Sequence, residues 1–398
     1  YPDGFKKSFL STWEQVAEDL LTDQEFGAQF LKKRNYKDIL EAFSAVSYSF
    51  TDSRSVVDAV YEFIGRKMTW NGRYGIYAKE DLNTVFERRI GSGVELNLIA
   101  LALLKEAGVS AYPLLSATRS YGKMLRDYPI IDQFNHMMVL VQLDDGNLIL
   151  DIPNPNRPPG LPEMNSLNSY AWLVNEKKPE WISIAAPLGT DDFRSLIKID
   201  SKGQVACQMN MRFSNYNAVS ERSYYFSDPK GAYWTDRLAR RIPHLEIERF
   251  EVKYPRENQR PFINNLVFRI EEAAQQAGDF LYLMPVLYSN FHENPFKQDI
   301  RYYPVDFPYP FEEKYTTTIM IPEKYKVESL PAEVTFELEG SAGFFKYQIE
   351  QKAKRITLSS HLQITALKIP PENYPALKQM LDIFLEKQEE PIVLKIVD

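Results

Sequence analysis

Cysteine is nearly absent: Cys207 is the only one in 398 residues. A single thiol excludes an internal disulfide framework and every zinc site built on paired cysteines. Histidine is almost as scarce, and His136, His244, His292 and His361 lack the close spacing of a ligand pair, so neither a metal nor another cofactor is expected. No apolar run reaches the roughly 18 residues needed to cross a bilayer. The richest, residues 96–104, breaks off at Lys105 and Glu106. Basic residues are in the minority, 47 Lys+Arg against 54 Asp+Glu for a net charge of -7. No basic stripe is visible, which argues against a nucleic-acid partner. Gly91-Ser92-Gly93 lacks the third glycine and the following lysine of a phosphate loop. The chain opens Tyr1-Pro2-Asp3-Gly4, without an initiator Met or a signal-peptide pattern, which predicts a processed product.

What is present reads as ordinary globular protein, 44% hydrophobic and 25% charged. At about 150 residues per domain, the length predicts two or three domains. Proline outnumbers glycine, 25 to 17, alongside 24 Tyr and 24 Phe, which suggests proline-pinned loops over aromatic-rich sheets. The first ninety residues carry helical spacing, with helix starts at Ser11-Thr12 and at Asp52 or Ser53. The sharpest start is Ser92-Gly93-Val94-Glu95, a capping box in which Ser92 and Glu95 each satisfy the other's backbone N–H. The helix it opens should end at Gly108. Strands are then expected over 109–118, 134–143 and 147–152, with Asp145-Gly146 as a hairpin turn. A proline cluster (Pro153, Pro155, Pro158, Pro159, Pro162) should form an ordered loop, and short strands should close a first domain near residue 190. Beyond it, the expected pattern is β-rich and sandwich-like, with a turn at Ser201-Lys202-Gly203 and a helical stretch over 218–241. The proline-aromatic tract 302–310 marks a joint between a middle domain, 191–310, and a C-terminal one, 311–398, with a late helix around Tyr374. The fold class expected is therefore α+β: helices on an antiparallel sheet, followed by β-rich domains.

Three blocks in order carry a resemblance: residues 91–98 (Gly91-Ser92-Gly93-Val94-Glu95-Leu96-Asn97-Leu98), then 103–109, then Ser116-Ala117-Thr118-Arg119-Ser120-Tyr121-Gly122. Phe134-Asn135-His136, Leu150-Asp151, Leu161-Pro162 and Leu167-Asn168 continue it. Together they resemble the transglutaminase-like superfamily, in the bacterial branch whose core sits between β-rich domains of unknown function. Asn294-Pro295-Phe296, Arg301, Pro304-Val305-Asp306-Phe307 and the Tyr374 helix resemble the domain that follows the core. The resemblance implies a Cys-His-Asp triad, with the Cys opening a helix and the other two on following strands. A helix N-terminus lowers a thiol pKa, and His then serves as general base. In the family the Cys lies fifteen residues before the helix-ending Gly; counting back from Gly108 lands on Gly93. His136 and Asp151 occupy the other two positions, so the nucleophile is missing. Losing one typically costs ~10⁶-fold in kcat.

The resemblance implies a catalytically inactive module that binds a peptide or cell-envelope glycan in the groove of the lost site, at the periplasm or cell surface. Ser92, Glu95, Asn97, Arg119 and Asn135 are the candidate groove residues. Two other readings stand beside it: a peptidase or acyl transferase with an unrecognised nucleophile, and an interaction scaffold acting through the β-rich domains. Each singled-out residue also has a plain reading. His136 fits as a strand residue beside Met138 and Leu140, Asp151 as a strand end before Pro153, Glu95 as a cap partner, and Arg119 as a solvated strand end. A two-residue turn at Asp145-Gly146 would also set Leu140, not His136, opposite Asp151, so a His136–Asp151 pair would need a bulge or a longer loop.

Overall fold

The computed structural model describes residues 12–46, 50–152, 154, 157–200, 204–239, 242, 245–270 and 274–397. Ser11, His244, Pro153, Pro155 and the expected turn at 201–203 lie outside them. The chain divides into two compact units, Tyr1–Ala186 and Pro187–Asp398, each with its own hydrophobic core.

The first unit is led by helices. α1 (Trp13–Thr22) is capped by Thr12, whose side chain accepts the N–H of Gln15. α2 (Gly27–Leu31), α3 (Lys37–Ser44) and α4 (Ser53–Lys67) follow, the last opened by a capping box at Asp52 and Ser55. After the short strand β1 (Thr69–Trp70) come α5 (Leu82–Arg88) and β2 (Ile90–Gly91), which pairs with β1 in parallel. α6 (Gly93–Glu106) is apolar all round and buried from Gly93 through Leu104. Such a helix is stable only inside a core, and it ends with Gly108 at φ +78°, as its position predicts. It packs on an antiparallel five-stranded sheet ordered β5-β4-β3-β6-β7. The strands are β3 (Ala111–Ser116), β4 (His136–Leu143), β5 (Gly146–Leu150), β6 (Tyr170–Leu173) and β7 (Glu180–Ser183).

The β4–β5 hairpin corrects the expected register. Leu143 pairs with Gly146, so the two turn residues are Asp144 and Asp145 and not Asp145 and Gly146. Neither Asp takes a positive φ, while Gly146 does (φ +135°); an Asp-rich turn with Gly at its fourth position is a type I preference. Val139 then pairs with Leu150 without a bulge. Continuing that register sets Asp151 opposite Met138, one diagonal step from His136, a separation a side chain can span.

The second unit is built on an eight-stranded sheet ordered β10-β11-β9-β8-β15-β19-β18-β17. Its first half runs β8 (Gly189–Ile199), β9 (Val205–Phe213), helices α7 (Asn215–Ser227) and α8 (Ala232–Ala239), β10 (Leu245–Lys253) and β11 (Phe262–Ile270). β12 (Ala274–Ala277), β13 (Phe280–Leu283) and β14 (Val305–Asp306) come next. The chain then returns with β15 (Phe311–Met320), β16 (Tyr325–Ser329), β17 (Val334–Glu337), β18 (Gly343–Lys352), β19 (Arg355–Ile364), β20 (Lys368–Ile369), α9 (Tyr374–Glu389) and β21 (Ile392–Ile396). β12, β13, β21 and β16 form a four-stranded sheet that shares the core with the large one.

This topology corrects the expected boundary at 310/311. β15 lies between β8 and β19, hydrogen-bonded to β8 in parallel from Phe311–Gly189 to Met320–Lys198. Residues on both sides of the proline-aromatic tract therefore share one sheet and one core. The tract turns the chain back into its own sheet. The fold is α+β, as expected, with no helix among the described residues long and apolar enough to cross a membrane.

Candidate functional site

Everything at the site hangs on the start of α6. Ser92 leaves the extended backbone as N-cap; Glu95 Oε2 accepts its N–H at 2.7 Å, and Ser92 Oγ accepts the N–H of Glu95 at 3.5 Å. Gly93 is the first helical residue, and its N–H donates to the Arg73 carbonyl at 2.9 Å. A Cβ built on Gly93 would meet His136 Cε1 at 3.4 Å, His136 Nδ1 at 3.6 Å and the Arg73 carbonyl oxygen at 3.6 Å. These are ordinary contacts, so a Cβ fits here and would lie against the imidazole.

His136 opens β4, paired with Ser116 of β3 and bridged on its other side by Gly75. It is 0% exposed. Its Nε2 lies 3.1 Å from Asp151 Oδ1. Asp151 also accepts the Glu163 backbone N–H (2.8 Å) and the Asn97 amide (3.4 Å), with Arg157 Nη1 3.7 Å away. Burial opposes its ionisation, but the His136 ring, the Arg157 guanidinium and the Glu163 N–H outweigh that and hold the carboxyl well below the usual carboxylate range. An ionised Asp151 only accepts, which assigns a proton to Nε2. Nδ1 is buried without a hydrogen-bond partner among the described residues. The imidazole, held by a carboxylate on one side, thus faces the helix start at Gly93, which carries no side chain.

Of the expected residues, Gly93, His136 and Asp151 come together. Asn97 holds them in place: its amide donates to the Met137 carbonyl (2.8 Å) and its oxygen accepts the Ile152 N–H (3.0 Å). Asn97 is 0% exposed, so it ties α6 to the strands and is not open to a ligand. Asn135 is turned to the β3 end, where its oxygen accepts the Thr118 N–H (2.7 Å) and its amide donates to Thr118 Oγ1 (3.0 Å). Arg119 donates to the Leu167 carbonyl (3.1 Å) in the loop beyond β3. Neither reaches the dyad.

Ser92 and Glu95 do line a cavity of about 280 Å³ beside the helix start, with Arg73, Tyr74, Tyr77 and Arg88. Tyr74 belongs both to this cavity and to the dyad, since its ring meets His136 edge-on at 5.0 Å. Segment 73–75 borders the groove expected between Gly93 and His136, Arg73 through its carbonyl and Gly75 through a bridge to His136, and the cavity is lined by Tyr74. The sequence reading missed Tyr74, Arg157 and Glu163. Arg157 is 2% exposed and joins Asp151 to Glu163, with Nη2 donating to the Asp151 carbonyl at 3.1 Å and Nη1 3.2 Å from Glu163 Oε2. An arginine inside a proline cluster, between two acids, was the available signal.

Cys207 is the one thiol in the sequence. It is buried in β9, in the core of the second unit, and burial pushes its pKa up to about 12. Among the described residues no group of three or more His, Cys, Asp or Glu is arranged to hold a metal ion.

Residues 279–394 match the family described as "Domain of Unknown Function with solved-structure structure (DUF3858)", a stretch that runs from β13 to β21. A solved structure from Parabacteroides distasonis ATCC 8503, described as that of a "putative protease", is similar over 96% of this chain at 10% identity and a TM-score of 0.55. That similarity is one of fold. This chain spans 58% of the length of that structure's chain. No curated protein matches.

Proposed function

We propose that the first unit is a transglutaminase-like module that has lost its nucleophile and works by binding, not turnover. The observation that carries this reading is the His136–Asp151 pair aimed at Gly93, a base and its orienting carboxylate with no group to activate. Two further features support it. The Gly93 N–H, placed where an acyl-transfer site would keep a donor for the oxyanion, is given to the Arg73 carbonyl. Ser92, whose hydroxyl is next to it in the chain, caps the helix and lacks the easy ionisation of a thiol. The ligand class is an extended peptide or a cell-envelope glycan, taken in the cavity beside Tyr74, whose rim of Tyr74, Tyr77, Arg73 and Arg88 offers rings to stack on and donors for carbonyl or hydroxyl oxygens. The place of action that goes with this reading is the periplasm or cell surface.

A peptidase or acyl transferase remains the second reading, favoured by the intact His136–Asp151 dyad. A scaffold acting through the β-rich unit is the third. Incubation of the full chain with fluorogenic peptides and amine donors separates the first two. We expect no turnover, and saturable binding of peptide or glycan strands that Tyr74→Ala weakens. Turnover abolished by His136→Ala would overturn this in favour of an enzyme. Capture of ligand by residues 187–398 alone, with none by the first unit, would favour the scaffold.

A further inference from the structure

The second unit buries two carboxylates side by side. Asp191 of β8 and Glu313 of β15 are register partners on adjacent parallel strands, each 5% exposed. Both converge on one amide: Asn290 Nδ2 lies 2.6 Å from Asp191 Oδ2 and 3.0 Å from Glu313 Oε1. The Asn217 amide of α7 donates to Asp191 Oδ1 (2.8 Å) and the Tyr315 hydroxyl to Glu313 Oε2 (2.5 Å). A second layer orients these donors, with Tyr309 donating to Asn217 Oδ1 and Tyr288 to Asn290 Oδ1, both at 2.9 Å. Every group in this shell is neutral.

The charged groups of the surrounding elements are engaged elsewhere. From α7 comes a third acid, Glu221, which takes the Arg237 guanidinium of α8 at 2.7 Å. Arg237 also lies over the rings of Tyr224, Tyr233 and Trp234. On the opposite face of the same strands, Asp192 pairs with Arg194, and Glu312 with Lys314 and His361. Two buried anions with only neutral donors around them would carry a large uncompensated desolvation cost.

We propose that the Asp191–Glu313 pair carries one proton at neutral pH, and that this proton is a latch fastening α7 and segment 288–290 onto the β8–β15 seam. Acid tightens the latch and alkali releases it. The electrostatics agree. Burial raises the Glu313 pKa to about 7, and burial followed by the Glu313 charge raises Asp191 well above the carboxylate range. A folded pKa above the unfolded value contributes stability that is complete below the unfolded pKa and is lost as pH rises through the folded one.

The test is hydrogen exchange of the full chain, corrected for intrinsic rates, read in peptides covering 215–227 and 286–291, with 93–106 as an internal reference. Protection of the first two should fall at least about tenfold between about pH 6 and about pH 8.5, the change linked to loss of one proton near pH 7. Glu313→Gln should fall by less over that range, since Asp191 loses the charge of its neighbour and keeps only the effect of burial. The glutamine amide can donate to Tyr315, whose hydroxyl then turns to Ser289 Oγ, 3.5 Å away. Should that variant not fold, the wild-type infrared spectrum decides: a protonated-carboxyl band at neutral pH, vanishing in step with the lost protection, supports the latch. Protection that does not fall with pH, a fall undiminished in Glu313→Gln, or the absence of that band overturns it.

Discussion

Placing a thiol at position 93 tests the site directly. A Cβ there would have no neighbour closer than 3.4 Å, and Gly93 carries no left-handed φ. Four influences would act on the sulfur. The N-terminus of α6 favours the anion by about 0.3–1 kcal/mol, less than one pKa unit at about 1.36 kcal/mol per unit. The Arg73 carbonyl and burial oppose it. His136 Nδ1, held toward the thiol by Asp151, accepts its proton and is the largest favourable influence. We expect the thiol pKa to fall from about 8.5 to about 7 or below, which at pH 7 raises the thiolate share from about 3% to about half or more. A fall beyond one unit must come from His136, so it should shrink to less than one unit in Gly93→Cys/His136→Ala. Because the site is buried, the readout is the ultraviolet absorbance of the thiolate against pH in a Cys207→Ala background, with the iodoacetamide profile as a second measure. An ordinary pKa, indifferent to His136, would refute the reasoning that Gly93 stands where the nucleophile belongs.

Four further outcomes are expected. Asp151, depressed by its partners, contributes stability that is present above its unfolded pKa of ~3.9 and is lost as pH falls toward the folded value; the wild-type first unit should therefore weaken in strong acid, with Asp151→Asn showing a smaller acid slope in unfolding monitored by exchange. Asn97→Leu strips partners from the Met137 carbonyl and the Ile152 N–H and should cost about 2–4 kcal/mol in urea unfolding; a loss under about 0.5 kcal/mol would mean α6 is not anchored through Asn97. Cys207 should resist iodoacetamide until the second unit unfolds, checked by mass spectrometry of native against denatured chain. Ser92→Ala should lower stability by about 0.5–1 kcal/mol, with hydrolysis of fluorogenic peptides undetectable before and after; measurable turnover lost in this variant would make Ser92 a nucleophile.

Local sequence determined the parts that depend on neighbours in the chain. The Ser92–Glu95 box, Gly108 at the end of α6, Asp52 at the head of α4 and the antiparallel run from 111 to 150 each follow from side chains within a few residues of the backbone they satisfy. Gly93, His136 and Asp151 were singled out by the resemblance of short motifs in order, and not by such local signals. The hairpin was harder. Asp144, Asp145 and Gly146 support two turns that differ by one position, and the turn adopted moves the residue opposite Asp151 from Leu140 to Met138.

Tertiary structure alone decided what the chain does with those pieces. Arg73 and Tyr74 close over His136 from a segment with no marked periodicity, and Arg157 reaches Asp151 from within a proline tract. Nothing local foretells the parallel pairing of β15 with β8, more than a hundred residues apart, because parallel strands are joined through long connections and no turn records their register. That pairing sets Asp191 beside Glu313. In sequence each is an ordinary acid; only the seam between the two strands makes them a buried pair, since burial and proximity belong to the folded chain.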